Sequence, residues 1–475
     1  MKGRFKKMKK RLRMSALFLA AAMIMSIGTG CKSQNTDVAE DGRTILTVGN
    51  WPNKESDPKG YERMEKKKEQ FEKENPDVMV KEDEWNYDLQ TFAAKAEGET
   101  LPTVYQTHFT EADKIINGGY AADLTDCAKK YGIYGSIDHN ILENISKDGK
   151  MYLVPMSSYD LGIMMNTSLF EEAGLLEADG SPKIPKTFDE LAETAKIIHE
   201  KTGKAGFVLP TSENVGGWIF TSIAWNFGVK FMEETDDGWK STFNSPECVK
   251  ALQYIKDLRW KYNALPVSSN INAAELSKQI RTGQAAMSIA HAGQADACVK
   301  SYGMDPLKLG FAKMPAGPKD HVTMMGGAYY AIPNTATEKQ IDAAFRWITF
   351  SGTKTTLNDE EMARIESDYK AKKEENSGVV GLLGLSIWSD DVQARQFDKE
   401  MNAKYSTVDP KNVASFNNKD DINYQVEEPV CAQDLYALLD GCIQAVISDE
   451  NADCAALLEK ASSDFQTKYL DYEGK

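Results

Sequence analysis

The chain has 475 residues, with 71 acidic against 56 basic side chains and a formal charge of −15. That balance argues against nucleic acid as a partner, although acidity alone does not select a cationic ligand. The length allows two or three domains with ample chain for large cores.

Lys2 to Arg13 carries eight basic and no acidic residues, followed by an apolar run from Ala16 to Met25 and then small residues leading to Cys31. Ten helical residues span about 15 Å against about 30 Å of hydrocarbon, so residues 1–30 read as a signal peptide and not as a membrane span. Its removal would leave 445 residues at −23. Cys31 resembles the lipid-modified cysteine of bacterial lipoproteins. Gly30 and Thr29 fit that pattern, whereas Gly28 departs from its usual aliphatic residue. The polar stretch 31–43 reads as a flexible tether, so the expected location is the outer face of the cell membrane.

Six further cysteines, at 127, 248, 298, 431, 442 and 454, form no CxxC and have no histidines at zinc spacing. Cys431 and Cys442 on one helix would lie about 16 Å apart, too far to bridge, so buried thiols are the preferred reading, with one disulfide among the other pairings as the alternative in an oxidising compartment.

In chain order, Arg43 to Trp51 reads as a strand running into a loop, Gly60 to Asn75 as a charged helix and Val78 to Trp85 as a second strand. Leu89 to Glu97 is a short helix and Leu101 to His108 a third strand. This alternation indicates α/β units with a largely parallel sheet. Thr187 and Glu190 have capping-box spacing before an apolar face of Phe188, Leu191, Ala195 and Ile198, and Gly203 ends that helix. Ser245-Pro246 opens another helix, and Thr337 to Gln340 repeats the box. Residues 352–380 read as a charged helical surface segment, and Pro429 to Tyr472 as two helices broken at Ser448. The stretch MGGAYYAIP, Met325 to Pro333, pairs two glycines with two tyrosines. Glycine in a strand marks a bulge or a close approach to the backbone.

Four blocks together resemble the extracellular solute-binding proteins of ABC transporters, of the sugar-binding, maltose-binding-like kind. They are GKMYLVPMSSYDLGIMMNTSLFEEAGL (149–175), PKTFDELAETAKII (185–198), RTGQAAMSIA (281–290) and FAKMPAGPKDHVTMMGGAYYAIP (311–333). The resemblance implies a type II periplasmic-binding-protein-like α/β fold: two lobes with mixed, mostly parallel sheets joined by crossover hinge strands. Crossovers are expected near Val154 to Tyr159 and Thr323 to Tyr329. Lobe I would take 44–156 and 325–352, and lobe II 157–324 and 376–475, with 353–375 unassigned. Ligands of open α/β sheets sit at strand ends between lobes.

A sugar needs aromatic faces for its C–H surfaces and carboxylates, amides or backbone groups for its hydroxyls. Candidates at strand ends are Asn50, Trp51, Glu84, Trp85, Thr107 and His108. Tyr159 and Asp160 lie on the first crossover, Gly326, Gly327 and Tyr329 on the second, and Trp218 follows two glycines. The family often places a tryptophan just past its Ala-Ala-Met strand. Here His291 stands in that region, leaving Trp218, Trp388 or Tyr436 to supply the missing face.

The resemblance thus implies a monomeric binding subunit with no cofactor. It would capture a mono- or oligosaccharide and deliver it to membrane permease subunits. Rival readings are the same fold holding a polyamine, metal or peptide and, more remotely, an anchored glycoside hydrolase. The latter needs two carboxylates facing each other about 5–10 Å apart. The chain has no GxSxG, Walker A or HExxH motif.

Overall fold

A computed structural model describes residues 37–375 and 377–472. The leader, Cys31 and the first part of the tether lie outside the described residues. Strands Thr44–Val48 and Val78–Glu82 run parallel in register, Leu46 opposite Val80. A parallel bridge from Val48 to Val104 continues this layer towards the strand Tyr105–His108. Helix Pro58–Glu74 covers the layer through Phe71. It starts on Asp57, whose carboxylate accepts from Gly60 N at 2.9 Å, with proline at the first turn, where its missing N–H costs no helical bond.

The strand Leu153–Asn166 is long enough to serve both lobes. Its first half pairs antiparallel with Ala328 to Ala331 of the strand Val322–Ala331, which also pairs with Tyr105–His108. Its second half, from Leu161, pairs with strands Ala285–His291 and Leu309–Lys313. Parallel pairing lies at the outer strands, Ala205–Phe207 on Ala285–His291 and Asn423–Gln425 on Val322–Ala331, while the two crossover strands run antiparallel to each other. The first crossover falls at Ser157 to Asp160 and the second at Met324 to Gly327. Each is placed by the switch of its side chains between cores: Leu153 and Val154 belong to the first core and Leu161 and Ile163 to the second, while Met325 belongs to the first and Met324 to the second. Within lobe II the two-residue strand period divides the sheet faces. Ile163 and Met165 enter the larger core, whereas Met164 enters a smaller one with Ile280, Phe311 and Phe416.

The glycines of the second crossover answer to steric need. Gly326 pairs with Tyr159, and a Cβ there would collide with the Tyr159 hydroxyl. Gly327 has φ +154°, which an L side chain rarely adopts, and a Cβ there would strike Ser157 O. Two hinge strands can run this close only because these positions lack side chains.

Helix starts follow the sequence signals with one difference. Thr337 and Gln340 make the full reciprocal box. Thr187 Oγ1 accepts from Glu190 N at 3.1 Å, but the Glu190 carboxylate turns to Lys186 N at 2.7 Å, so the second half of that box does not form. Helix Asp359–Glu375 buries no residue. It is held to helix Gln393–Lys404 and the residue after it by polar contacts, including Tyr405 Oη to Glu366 at 2.7 Å.

After Phe350 the chain does not simply return to lobe II. Val379 and Leu382 pack on the smaller lobe II core, then Leu385, Trp388 and Val392 enter the lobe I core, and Val408, Val413 and Phe416 return to lobe II. Assigning all of 376–475 to lobe II is therefore corrected. The segment straps the two lobes together at the hinge. Leu385 is gripped by the first crossover itself: its carbonyl accepts from Ser158 Oγ at 2.7 Å and its N–H donates to Asp160 Oδ1 at 2.9 Å.

Candidate functional site

Five groups converge where the first crossover meets lobe II. Tyr159, on the hinge strand, has its ring 5.4 Å from His291 and 6.4 Å from Trp218, and Trp218 lies 6.4 Å from His291. Tyr436 closes the group from helix Ala432–Ser448. At their centre is Glu427, on the loop after strand Asn423–Gln425. Its Oε2 accepts from Tyr436 Oη at 2.8 Å, and Trp218 and Tyr159 also hydrogen-bond to this carboxylate.

Each member is placed by local structure. Trp218 lies in the first turn of helix Val215–Asn226. The Asp440 carboxylate accepts from Asn214 N at 2.8 Å and Gly217 N at 2.7 Å, satisfying donors that a helix start leaves free. Gly217 has no room for a Cβ against the Tyr436 backbone, so this glycine lets the two helices approach and sets Tyr436 beside Trp218. His291 ends the strand Ala285–His291 and begins helix Ala292–Lys300. Burial pulls its imidazole below the usual range, which favours a neutral ring. Burial pushes the Glu427 carboxyl up, and the donors from Tyr436 and Trp218 pull it back down. The neighbouring Glu428 points to the lobe II interior, accepting from Trp225 Nε1 at 3.0 Å, and burial pushes it up to about 7.

Lobe I contributes the facing side. Glu111, immediately after the third strand, accepts from Tyr87 Oη at 2.5 Å and Thr110 Oγ1 at 3.1 Å. His108 is exposed, and both it and Glu111 act electrostatically on Glu427. Half-buried Trp85 sets its ring edge-on to Tyr105 at 5.4 Å and donates from Nε1 to Thr91 at 3.1 Å. Asn50, at φ +58°, accepts from Gln106 N at 2.8 Å and donates to Asn86 at 2.8 Å. Glu84 is exposed and accepts from Asn53 at 2.8 Å.

Several residues expected at the ligand lie outside this group, in packed or hinge positions. Trp51 is 2% exposed and stacks on Trp347 at 6.4 Å in the lobe I core. Trp388 is buried in the same core, bridged to Ile137. Tyr329 is 0% exposed, stacked on Phe109 at 4.1 Å, and its hydroxyl accepts from Asn144 at 2.7 Å. Thr107 is buried on the strand face shared with Tyr105 and Phe109. Gly326 is covered by Tyr159. Asp160 is 3% exposed and forms an ion pair with Lys419 at 2.6 Å, so its carboxylate is committed to the hinge. Tyr330, not Tyr329, lines a separate lobe I cavity of about 200 Å³ with Asn50, Gln106 and Trp347.

Sequence reasoning missed Glu427, Glu111 and Tyr87. The available signals were the acid pair Glu427-Glu428 before Pro429 at the mouth of an apolar helix, and a glutamate three residues past His108 at a strand end. Among the described residues, no three His, Cys, Asp or Glu side chains converge as metal ligands. The arrangement provides aromatic faces and hydrogen-bond acceptors on opposed walls, which suits a ligand with C–H faces and hydroxyl edges.

Comparison with known proteins agrees with this architecture. The family model for bacterial extracellular solute-binding proteins matches residues 55–355. The chain is 24% identical over 263 residues to the diacetylchitobiose binding protein DasA of Streptomyces coelicolor, spanning 54% of this chain and 57% of that relative, a little over half its length. The structure is similar to that of the cyclic alpha-maltosyl-1,6-maltose binding protein from Arthrobacter globiformis. The TM-score is 0.57 at 21% identity, covering 89% of this chain and 98% of that one. It is also similar to UgpB from Mycobacterium tuberculosis, solved in complex with glycerophosphocholine, with a TM-score of 0.60 at 18% identity over 90% and 98% of the two chains. Identities this low speak for the type II fold. With the family match over residues 55–355, the chain belongs to the bacterial extracellular solute-binding proteins.

Proposed function

We propose that this protein is the substrate-capturing subunit of an ABC importer and binds a carbohydrate between its lobes. The observation that carries the reading is the convergence of Tyr159, Trp218, His291 and Tyr436 on Glu427, facing His108 and Glu111 of the other lobe. The relative that binds diacetylchitobiose supports the same ligand class. Ligand would favour the closed form because only there do both walls touch it. Lipid attachment at Cys31 would hold the protein at the outer membrane face, where permease subunits accept the cargo.

The site binds and does not turn over its ligand: each of its two carboxylates is engaged by tyrosine hydroxyls, as acceptors holding a platform. A thermal-shift screen over mono- and oligosaccharides tests the reading, because a ligand held by the native state raises the melting temperature by mass action. A shift with a sugar and none with polyamines, divalent metals or peptides is expected. The reverse pattern, or release of product from labelled oligosaccharides, overturns it.

A further inference from the structure

Asp160 is buried and Glu427 half-buried, and the surroundings of the two carboxylates differ in kind. Asp160 has the Lys419 ammonium at 2.6 Å. Glu427 has only neutral donors: the Tyr436 hydroxyl at 2.8 Å, the Tyr159 hydroxyl and the Trp218 indole. Glu111, opposite, likewise has only hydroxyl donors, from Tyr87 and Thr110. Among the described residues neither glutamate takes part in an ion pair, and no lysine or arginine is among the charges acting most strongly on Glu427; the one positive contributor there is His108.

An ionised carboxylate offers about four acceptor sites. Three donors fix the orientation of Glu427 and oppose, without cancelling, the burial that raises its carboxyl, and an acceptor site remains for a ligand. Two walls therefore present acceptors and negative charge, and their aromatic rings limit the solvent that would screen it.

We propose that Glu427, with Glu111 facing it, makes the cleft select neutral or cationic hydroxyl-bearing ligands and reject anionic ones. The inference rests on the carbohydrate reading above and narrows it to neutral and amino sugars, excluding uronates and sugar phosphates. A hydroxyl or ammonium donates to the free acceptor site. A ligand carboxylate or phosphate meets a carboxylate on both walls, with no lysine or arginine among the charges acting most strongly on Glu427 to pair it, and like-charge juxtaposition is a strong means of rejecting a ligand.

Titration calorimetry at pH 7 with matched disaccharides tests this: maltose and N,N′-diacetylchitobiose as neutral probes, unacetylated chitobiose as the cationic one, and maltobionate and a glucuronate-containing disaccharide as anionic ones. At least one neutral or cationic probe should bind on the order of 100-fold tighter than its anionic counterpart. Glu427→Gln, which keeps an acceptor carbonyl, should shrink that ratio about tenfold. Glu111→Gln, on the other lobe, is the second variant and should shrink it in the same direction. Melting curves of both variants report whether each is folded. Anionic probes binding as tightly as neutral ones, or a ratio unchanged in both folded variants, overturn the charge-selection proposal alone. Failure of every probe to bind overturns it together with the carbohydrate reading.

Discussion

Tryptophan serves the two lobes differently. In lobe I, Trp51 follows the first strand and is sealed against Trp347 and Phe71, whose ring stands edge-on to Trp347 at 5.1 Å. In lobe II, Trp218 is half-buried, donates to Glu427 and holds its ring among Tyr159 and His291. Both residues closely follow glycine in the chain, so sequence position alone does not separate them. What separates them is the third dimension: helix Glu338–Phe350, about three hundred residues downstream, covers Trp51 with Trp347, whereas Trp218 stays half-buried beside the first crossover.

The largest expected effect falls on the buried member. Trp51→Ala should destabilise by about 3–5 kcal/mol through loss of a packed ring, while the folded fraction keeps its ligand affinity. Denaturant unfolding alongside calorimetry checks both halves, and a large affinity loss at unchanged stability would move Trp51 back into the site.

Glu428 separates the lobe II interior from the cleft beside it. Its folded pKa of about 7 stands above the ordinary carboxylate value, so its favourable contribution is fully present below pH ~4 and declines as pH rises through about 7. The wild type should therefore lose up to about 3 kcal/mol across that window relative to Glu428→Gln, which still accepts from Trp225. Urea midpoints at pH 5 and 8 read this directly; parallel pH profiles would place Glu428 in solvent.

Trp218→Ala should weaken ligand binding by about 1–3 kcal/mol, an aromatic platform being lost, with melting temperature of the unliganded protein little changed. Smaller still, Trp85→Ala should cost about 1 kcal/mol of affinity or less, since its Nε1 is already engaged by Thr91 and its ring edge by Tyr105. Equal losses at Trp85 and Trp218 would make the two walls equivalent and remove the asymmetry described here.

Much of the architecture was legible because it rests on local rules. Thr187, Ser245 and Thr337 sit at the helix starts expected of them and cap them as their side chains dictate. Helix Leu89–Glu97 falls where the apolar pattern places it. The second crossover lies inside the window that the family resemblance implied, and the first overlaps its window and runs one residue past it, to Asp160. The strap after Phe350 was illegible for the opposite reason. Its contacts, such as Val379 N to Asp296 at 2.7 Å and Leu385 to the first crossover, join residues over eighty positions apart and leave no periodic trace.

The site divides along the same line. Tyr159, Trp218, His291 and Tyr436 were legible as chemistry, because aromatic and imidazole side chains near strand or helix starts are apt for sugar faces. Their convergence on Glu427 was not, for one acid among 71 carries no mark of what surrounds it. The glycines of MGGAYYAIP show both halves of the lesson. Composition announced that something approaches the backbone there. Only packing revealed that it is Tyr159, and that the strand alternation and the bulge after Ala328 carry Tyr329 into the core, onto Phe109. Capping, periodicity and steric allowance are set by neighbours in the chain, and the sequence carries them. Burial, pairing of charge and the meeting of two walls depend on which distant segments share a few ångströms, and only the tertiary structure decides that.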